Sequence, residues 1–272
     1  MQRITSYYRY FNLLSLDVAL GATISAMFLT RVFEVDIRFQ GLLCLGLTVW
    51  LIYTVDHLVD ARNLKSQAST ARHRFHQRNF RMILTLAIVI LLAIIPLLFF
   101  IHKPVLTMGI GLGGLVIVYF IVQRKLGFLK EFLGAVLYCV GVMLPVVALS
   151  ELSFNSVITV PSILFFNTAL INLVLFSWFD RDKDKLDNHP SLVTSVGDKA
   201  SKSILCLLFV LQIVLFIYAF NSGLDISILI IFAAMYLVLL LIFVKSNWFG
   251  LNDRYRLAGD AVFLFPLLYM IR

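Results

Sequence analysis

Two stretches of this chain place carboxylates one helical turn apart, beside imidazoles, an amide and basic side chains. The first reads Tyr53-Thr-Val-Asp56-His-Leu-Val-Asp60-Ala-Arg-Asn63. The second reads Phe179-Asp180-Arg-Asp182-Lys-Asp184-Lys-Leu-Asp187-Asn-His189-Pro190. At about 100° per residue, positions i, i+4 and i+7 of a helix fall within roughly 60° of one another. Asp56, Asp60 and Asn63 therefore share one face, as do Asp180, Asp184 and Asp187, while Asp182 points elsewhere. Paired carboxylates repel, more strongly where water is scarce, and a bound cation removes that cost. Oxygen donors without a Cys/His cluster suit a hard ion, magnesium before zinc. Magnesium is usually shared between one or two carboxylates and a phosphate, and Arg62, Arg124, Lys125, Lys130, Arg181 and Lys185 are the cations available for the remaining phosphate oxygens. Alternating acid and base across 180–187 also suits a solvated loop, and Asp60 alone also suits an interfacial anchor. His57 lies about 100° off the acidic face and His189 precedes a proline, so both read as structural or interfacial.

The elements that must position these groups lie in a bilayer. The chain has 272 residues, 61% of them hydrophobic and 14% charged, against about 45–50% and about 25% in a soluble domain. That excess of apolar surface excludes a soluble enzyme, a disordered chain, a disulfide scaffold and an extracellular module. A helix needs roughly 20 apolar residues to cross the hydrocarbon core. Nine segments qualify: Phe11–Leu29, Phe39–Leu58, Met82–Ile101, Pro104–Val122, Phe132–Leu149, Ile158–Phe179, Ile204–Phe220, Ile226–Val244 and Leu257–Ile271. Their apolar runs are continuous rather than alternating, which predicts an all-α, nine-helix polytopic bundle over residues 1–272 as a single transmembrane domain. With the N-terminus cytoplasmic, nineteen of the 23 Lys and Arg fall on the cytoplasmic side, as the positive-inside rule requires. Both acidic motifs, at 53–63 and 179–190, then end spans two and six at the cytoplasmic face. A magnesium-bridged diphosphate held there would send a lipid-soluble tail into the bilayer.

The apolar run at the N-terminus is interrupted by Asp17, with no small-x-small cleavage site after it, and reads as an uncleaved first span. Cys44, Cys139 and Cys206 sit inside spans without metal-type spacing and read as packing residues. Asn12, Asp17 and Asp260, with Asn167 and Asn172, are further polar groups at intramembrane positions. Asp17 fits either an acceptor-orienting role or a hydrogen bond between helices. The net charge of +8 is mostly topological, and nucleic acid is not an expected partner because no soluble basic domain is present.

These residues resemble the UbiA-type intramembrane prenyltransferase superfamily, whose nine helices carry two aspartate-rich motifs on the second and sixth. Tyr119-Phe-Ile-Val-Gln-Arg124-Lys125, with Lys130 beyond, looks like the family's tyrosine-plus-basic element after the fourth helix. Ile52 stands where the first motif usually begins with Asn, and Tyr53 where an Asp follows. The resemblance implies transfer of a prenyl group from an isoprenyl diphosphate to a lipophilic or aromatic acceptor, which no residue here identifies. It implies Mg2+ at Asp56, Asp60, Asp180 and Asp184, and diphosphate contacts from Arg62, Asn63, Tyr119, Arg124, Lys125, Lys130 and Asp187. A non-catalytic member that binds a prenyl lipid would carry the same motifs. A cation or solute transporter would need ionisable groups across the whole membrane, whereas the acids here crowd one face.

Overall fold

The structure is a computed structural model that describes residues 2–63, 68–150, 156–187 and 189–271. Fourteen α-helical segments follow one another: α1 (Gln2–Leu13), α2 (Leu16–Val32), α3 (Phe39–Asn63), α4 (Ala71–Arg78), α5 (Phe80–Leu98), α6 (Lys103–Val122), α7 (Leu129–Leu149), α8 (Ser156–Leu186), α9 (Leu192–Val196), α10 (Asp198–Asn221), α11 (Ile226–Val244), α12 (Ser246–Phe249), α13 (Arg254–Ala261) and α14 (Leu267–Met270). No strand occurs among the described residues. The all-α expectation holds, and the chain is a multi-pass membrane protein. Large apolar side chains such as Phe99, Ile121 and Leu207 are exposed at 84%, 73% and 67%. Only a lipid solvent tolerates them in such number.

Among the described residues, seven helices are long and apolar enough to cross a bilayer, and a bent pair makes an eighth. The bend is 78° between α1 and α2, where Ser15 takes a left-handed conformation. There the indole of Trp50 on α3 donates to the carbonyl of Leu14 at 2.9 Å, satisfying a backbone group that the broken helix frees. The segment expected as a ninth span, Leu257–Ile271, is shorter-grained than the sequence pattern implies. It is divided into α13, a 3-10 turn at Val262–Leu264 and α14. Asp260 and Pro266 within it supply reasons, since one must find polar partners and the other donates no backbone hydrogen bond.

Helix α8 is the hub. Most of its membrane-spanning stretch is buried, whereas α6 is almost wholly on the periphery beside α7. Leu164, Ile171, Val174 and Leu175 of α8 are fully buried. Between α8 and α10, Asn167 donates to Gln212 Oε1 at 2.6 Å and to the Leu208 carbonyl at 3.1 Å, a polar tie of the kind that joins helices in lipid. Helix α13 is pinned to the motif end of α8 by the Tyr255 ring, which stacks on Phe179 at 4.3 Å between centroids and 8° between planes. Gly259 permits the close approach one turn further on: a methyl group there would collide with Asn172 Oδ1 and come within 2.6 Å of the Phe176 ring.

Candidate functional site

Each acidic pair sits at the end of a helix that is apolar for most of its length, so packing of the apolar body fixes where the carboxylates emerge. Helices α3 and α8 deliver them to one place. Asp56, Asp60, Asp180 and Asp184 all line a single cavity of about 480 Å³. The motif end of this cavity is polar. Its other end, walled by Leu45, Val49, Leu106, Gly113, Val116 and Leu137, is apolar.

The four carboxylates have different partners. Asp56 accepts a hydrogen bond from Gln123 Nε2 at 3.0 Å, a neutral donor, and Gln123 Oε1 is left without a partner. Asp60 faces imidazoles: His189 Nε2 lies 3.1 Å from its Oδ2 and His73 Nε2 lies 3.9 Å away. His189 Nε2 is also 3.2 Å from Lys130 Nζ, and its Nδ1 is 3.9 Å from Asp184 Oδ1. This loop imidazole thus stands between the two motifs. Asp180 is more fully engaged. Its Oδ1 accepts from the Tyr255 hydroxyl at 2.5 Å and from Lys183 Nζ at 3.1 Å, and its Oδ2 accepts from Arg256. Lys183 in turn reaches Asp253 at 2.8 Å. Outside the spans, burial pushes the His73 imidazole down to about 4, so it is neutral near pH 7 and its contact with Asp60 is not an ion pair.

Other expected site residues divide. Tyr119 and Lys130 line the cavity, and the Tyr119 hydroxyl donates to the Lys130 carbonyl at 3.4 Å. Arg62 and Lys125 are exposed and do not line it. Asp187 lies just past α8 and holds the loop before α4, accepting from the Ser69 backbone at 3.1 Å and from its hydroxyl at 2.7 Å. The side chains of Asn63 and Arg124 lie outside the described residues. The structure also brings Arg256, Arg72, His73 and Tyr255 to the site, none of which belongs to a local acidic pattern, and it places His189, read from the sequence as structural or interfacial, between the two motifs. Arg256 had a signal in the sequence, as a cation beside an apolar segment, but its partner was 76 residues away.

Among the described residues, no three His, Cys, Asp or Glu side chains already converge as a preformed metal cage. The donor set nevertheless fits a hard cation. Asp56 is a half-buried carboxylate whose hydrogen-bond partner is a neutral amide. Asp60 and Asp184 line the same cavity, and all three offer oxygen. Asp180, as it stands, holds a guanidinium and an ammonium instead.

No family model matches the chain, and no curated protein matches it in sequence. Solved structures do match its fold. A UbiA homologue from Archaeoglobus fulgidus bound to GPP and Mg2+ is 15% identical, with a TM-score of 0.65 over 97% of this chain and 99% of that one. The same homologue bound to DMAPP and Mg2+ is 16% identical, with a TM-score of 0.64 over 96% and 99%. The apo structure of a UbiA homologue from Aeropyrum pernix K1 is 14% identical, with a TM-score of 0.63 over 97% and 98%.

Proposed function

The chain has the fold of those UbiA homologues along nearly its whole length, and we propose that it is a magnesium-dependent intramembrane prenyltransferase. The observation that carries this reading is the convergence of two carboxylate pairs, from α3 and α8, on the polar end of one otherwise apolar cavity. A homologue with this fold binds GPP and Mg2+. In this chain Asp56, Asp60 and Asp184 would hold the ion, joined by Asp180 if it exchanges Arg256 and Lys183 for it. Bound there, magnesium supplies electrophilic stabilisation of the departing diphosphate. Lys130 and Arg256, which line the same cavity, place positive charge against the diphosphate oxygens. The apolar end takes the prenyl tail and keeps water from the allylic carbon as the bond to oxygen breaks. The distribution of Lys and Arg supports a mouth that opens to the cytoplasm.

The test is binding of geranyl diphosphate to the purified full chain in detergent. Affinity is expected to require Mg2+ and to fall at least a hundredfold in Asp56→Ala. Magnesium-independent binding, or unchanged binding in Asp56→Ala, refutes the reading. The engagement of Asp180 by two cations and a tyrosine also fits a non-catalytic prenyl-lipid binder. Diphosphate release with any acceptor eliminates that alternative.

A further inference from the structure

The apolar end of the cavity is a channel whose depth can be counted along its walls. On α3 the lining runs from Asp56 back to Gly41, fifteen residues away. At about 1.5 Å of rise per residue this wall is about 22 Å long, most of a hydrocarbon core of about 30 Å. Helix α7 lines the channel over a matching stretch, from Lys130 to Pro145, and α6 does so from Phe120 to Val105. The far end is bounded by Leu98 and Ile101, where α5 ends and the chain turns into α6. Next to it Arg38, three residues before Gly41, donates to the Phe100 carbonyl at 3.1 Å in an exposed bridge. An apolar tail that fills the channel meets a polar floor there.

The α6 wall leaves room inside the channel. Val105, Gly109, Leu112 and Val116 recur along the lining at helical spacing, with Gly113 beside them. A Cβ on Gly109 or Gly113 would meet no atom within 4 Å, so the space beside each is open. Tyr119 marks the polar end of the same wall. From it Gly113 is six residues deeper and Gly109 ten, about 9 and about 15 Å down the helix.

We infer that this channel sets the donor length at about four isoprene units, and that Gly113 and Gly109 keep it open to that depth. The inference rests on the prenyltransferase reading and adds to it which allylic diphosphate this chain takes. An extended chain advances roughly 3.5 Å over three bonds, so an isoprene unit, four bonds long, spans about 4.7 Å. Four units need about 19 Å of a wall of about 22 Å, and the remainder lets the allylic carbon reach the diphosphate beside Asp56. Gly113 then lies beside the second unit, and Gly109 where the third meets the fourth. A larger side chain at either position takes volume from the tail without displacing a neighbouring helix, because no neighbouring atom stands there.

The test is calorimetric titration of the purified full chain, in one detergent with Mg2+, by allylic diphosphates of one to five isoprene units. Wild-type affinity should rise to four units and fall at least threefold at five. Gly109→Phe should lower the ratio of four-unit to two-unit affinity at least tenfold. Gly113→Phe should lower the ratio of two-unit to one-unit affinity at least fivefold. Ile101→Ala, which deepens the floor, should raise the ratio of five-unit to four-unit affinity at least threefold. Each ratio is compared between variants in the same micelle, so partitioning of the tails into detergent cancels. A loss of overall fold weakens all donors alike and leaves these ratios unmoved. Ratios unchanged in both glycine variants overturn the inference, as does a five-unit donor that binds wild type as tightly as the four-unit one, which is the result if the tail leaves sideways into lipid. If wild type binds none of the diphosphates, it is the prenyltransferase reading that falls.

Discussion

Replacing Arg256 with Met tests how the two halves of the site are held together. Asp180 is 3% exposed at its side chain and Arg256 22%, so this ion pair is largely withdrawn from water. Removing one member of a buried pair costs about 3–5 kcal/mol, because a charge is left behind without its partner. Here the loss is smaller. Asp180 Oδ1 keeps Lys183 at 3.1 Å and Tyr255 at 2.5 Å, and only Oδ2 is stripped. One hydrogen bond to a charged group contributes about 1.5–3 kcal/mol. The expected destabilisation of Arg256→Met is therefore about 2 kcal/mol, roughly thirtyfold in the unfolding equilibrium. It is measured by titrating the purified protein in mixed micelles with SDS and following tryptophan fluorescence. A double-mutant cycle isolates the pair. Asp180→Asn/Arg256→Met should be at least about 1 kcal/mol more stable than the sum of the single changes requires, because the neutral amide no longer needs the guanidinium. If Arg256→Met unfolds within about 0.5 kcal/mol of wild type, or the cycle is additive, the pair does not hold α13 to α8 and the argument fails.

Chelation of Mg2+ with EDTA should release geranyl diphosphate, and added Mg2+ should restore it; retention in EDTA would remove the metal from the account. His189→Ala deletes the imidazole between Asp60, Asp184 and Lys130. Geranyl diphosphate affinity should fall about tenfold, near 1.4 kcal/mol, with little change in the SDS midpoint. Gly259→Val places carbon where Asn172 and Phe176 already stand. Overpacking of about 1–3 kcal/mol should appear as an SDS midpoint well below wild type. Burial pushes the His76 imidazole below its ordinary 6.5, and its Nδ1 contacts the Arg72 carbonyl at 2.9 Å. The unfolded chain then binds a proton that the folded chain refuses, so stability should drop as pH falls below about 6.5. His76→Gln should flatten that slope, and an unchanged pH profile of the SDS midpoint would contradict it.

Much of the candidate site was legible because its pairing of carboxylates is local. Asp56 and Asp60, like Asp180 and Asp184, are four residues apart on helices whose apolar bodies are unmistakable, and helix geometry alone puts each pair on one face. Lys130 and Tyr119 were also readable, as a cation and a phenol near the expected mouth. Arg62 and Lys125 had equally good credentials by charge and position, yet they point away from the cavity. A residue's type indicates what it can bind, whereas the face it presents depends on the neighbouring helices. Asp187 fitted the acidic face by periodicity, but α8 ends at Leu186, and Asp187 is drawn to Ser69. Asp17 and Asp260 appeared in the sequence as two isolated polar groups at intramembrane positions. That Asn12 joins them, and that Arg72 reaches Asp260, depends on contacts spanning up to 248 residues.

The sequence by itself determined the solvent and the secondary structure. An apolar excess of this size leaves only lipid, and lipid leaves a backbone with continuous apolar runs no choice but helices, since each helix satisfies its own hydrogen bonds. It also determined the spacing of the acids, which is a property of single helices. Only the tertiary structure decided that α3 and α8 open onto one cavity, that Arg256 engages Asp180, and that Asn12 joins Asp17 to Asp260. Those outcomes depend on how helices pack, as in the approach that Gly259 permits between α13 and α8, and packing is settled by side-chain shape across the whole bundle rather than by any local pattern.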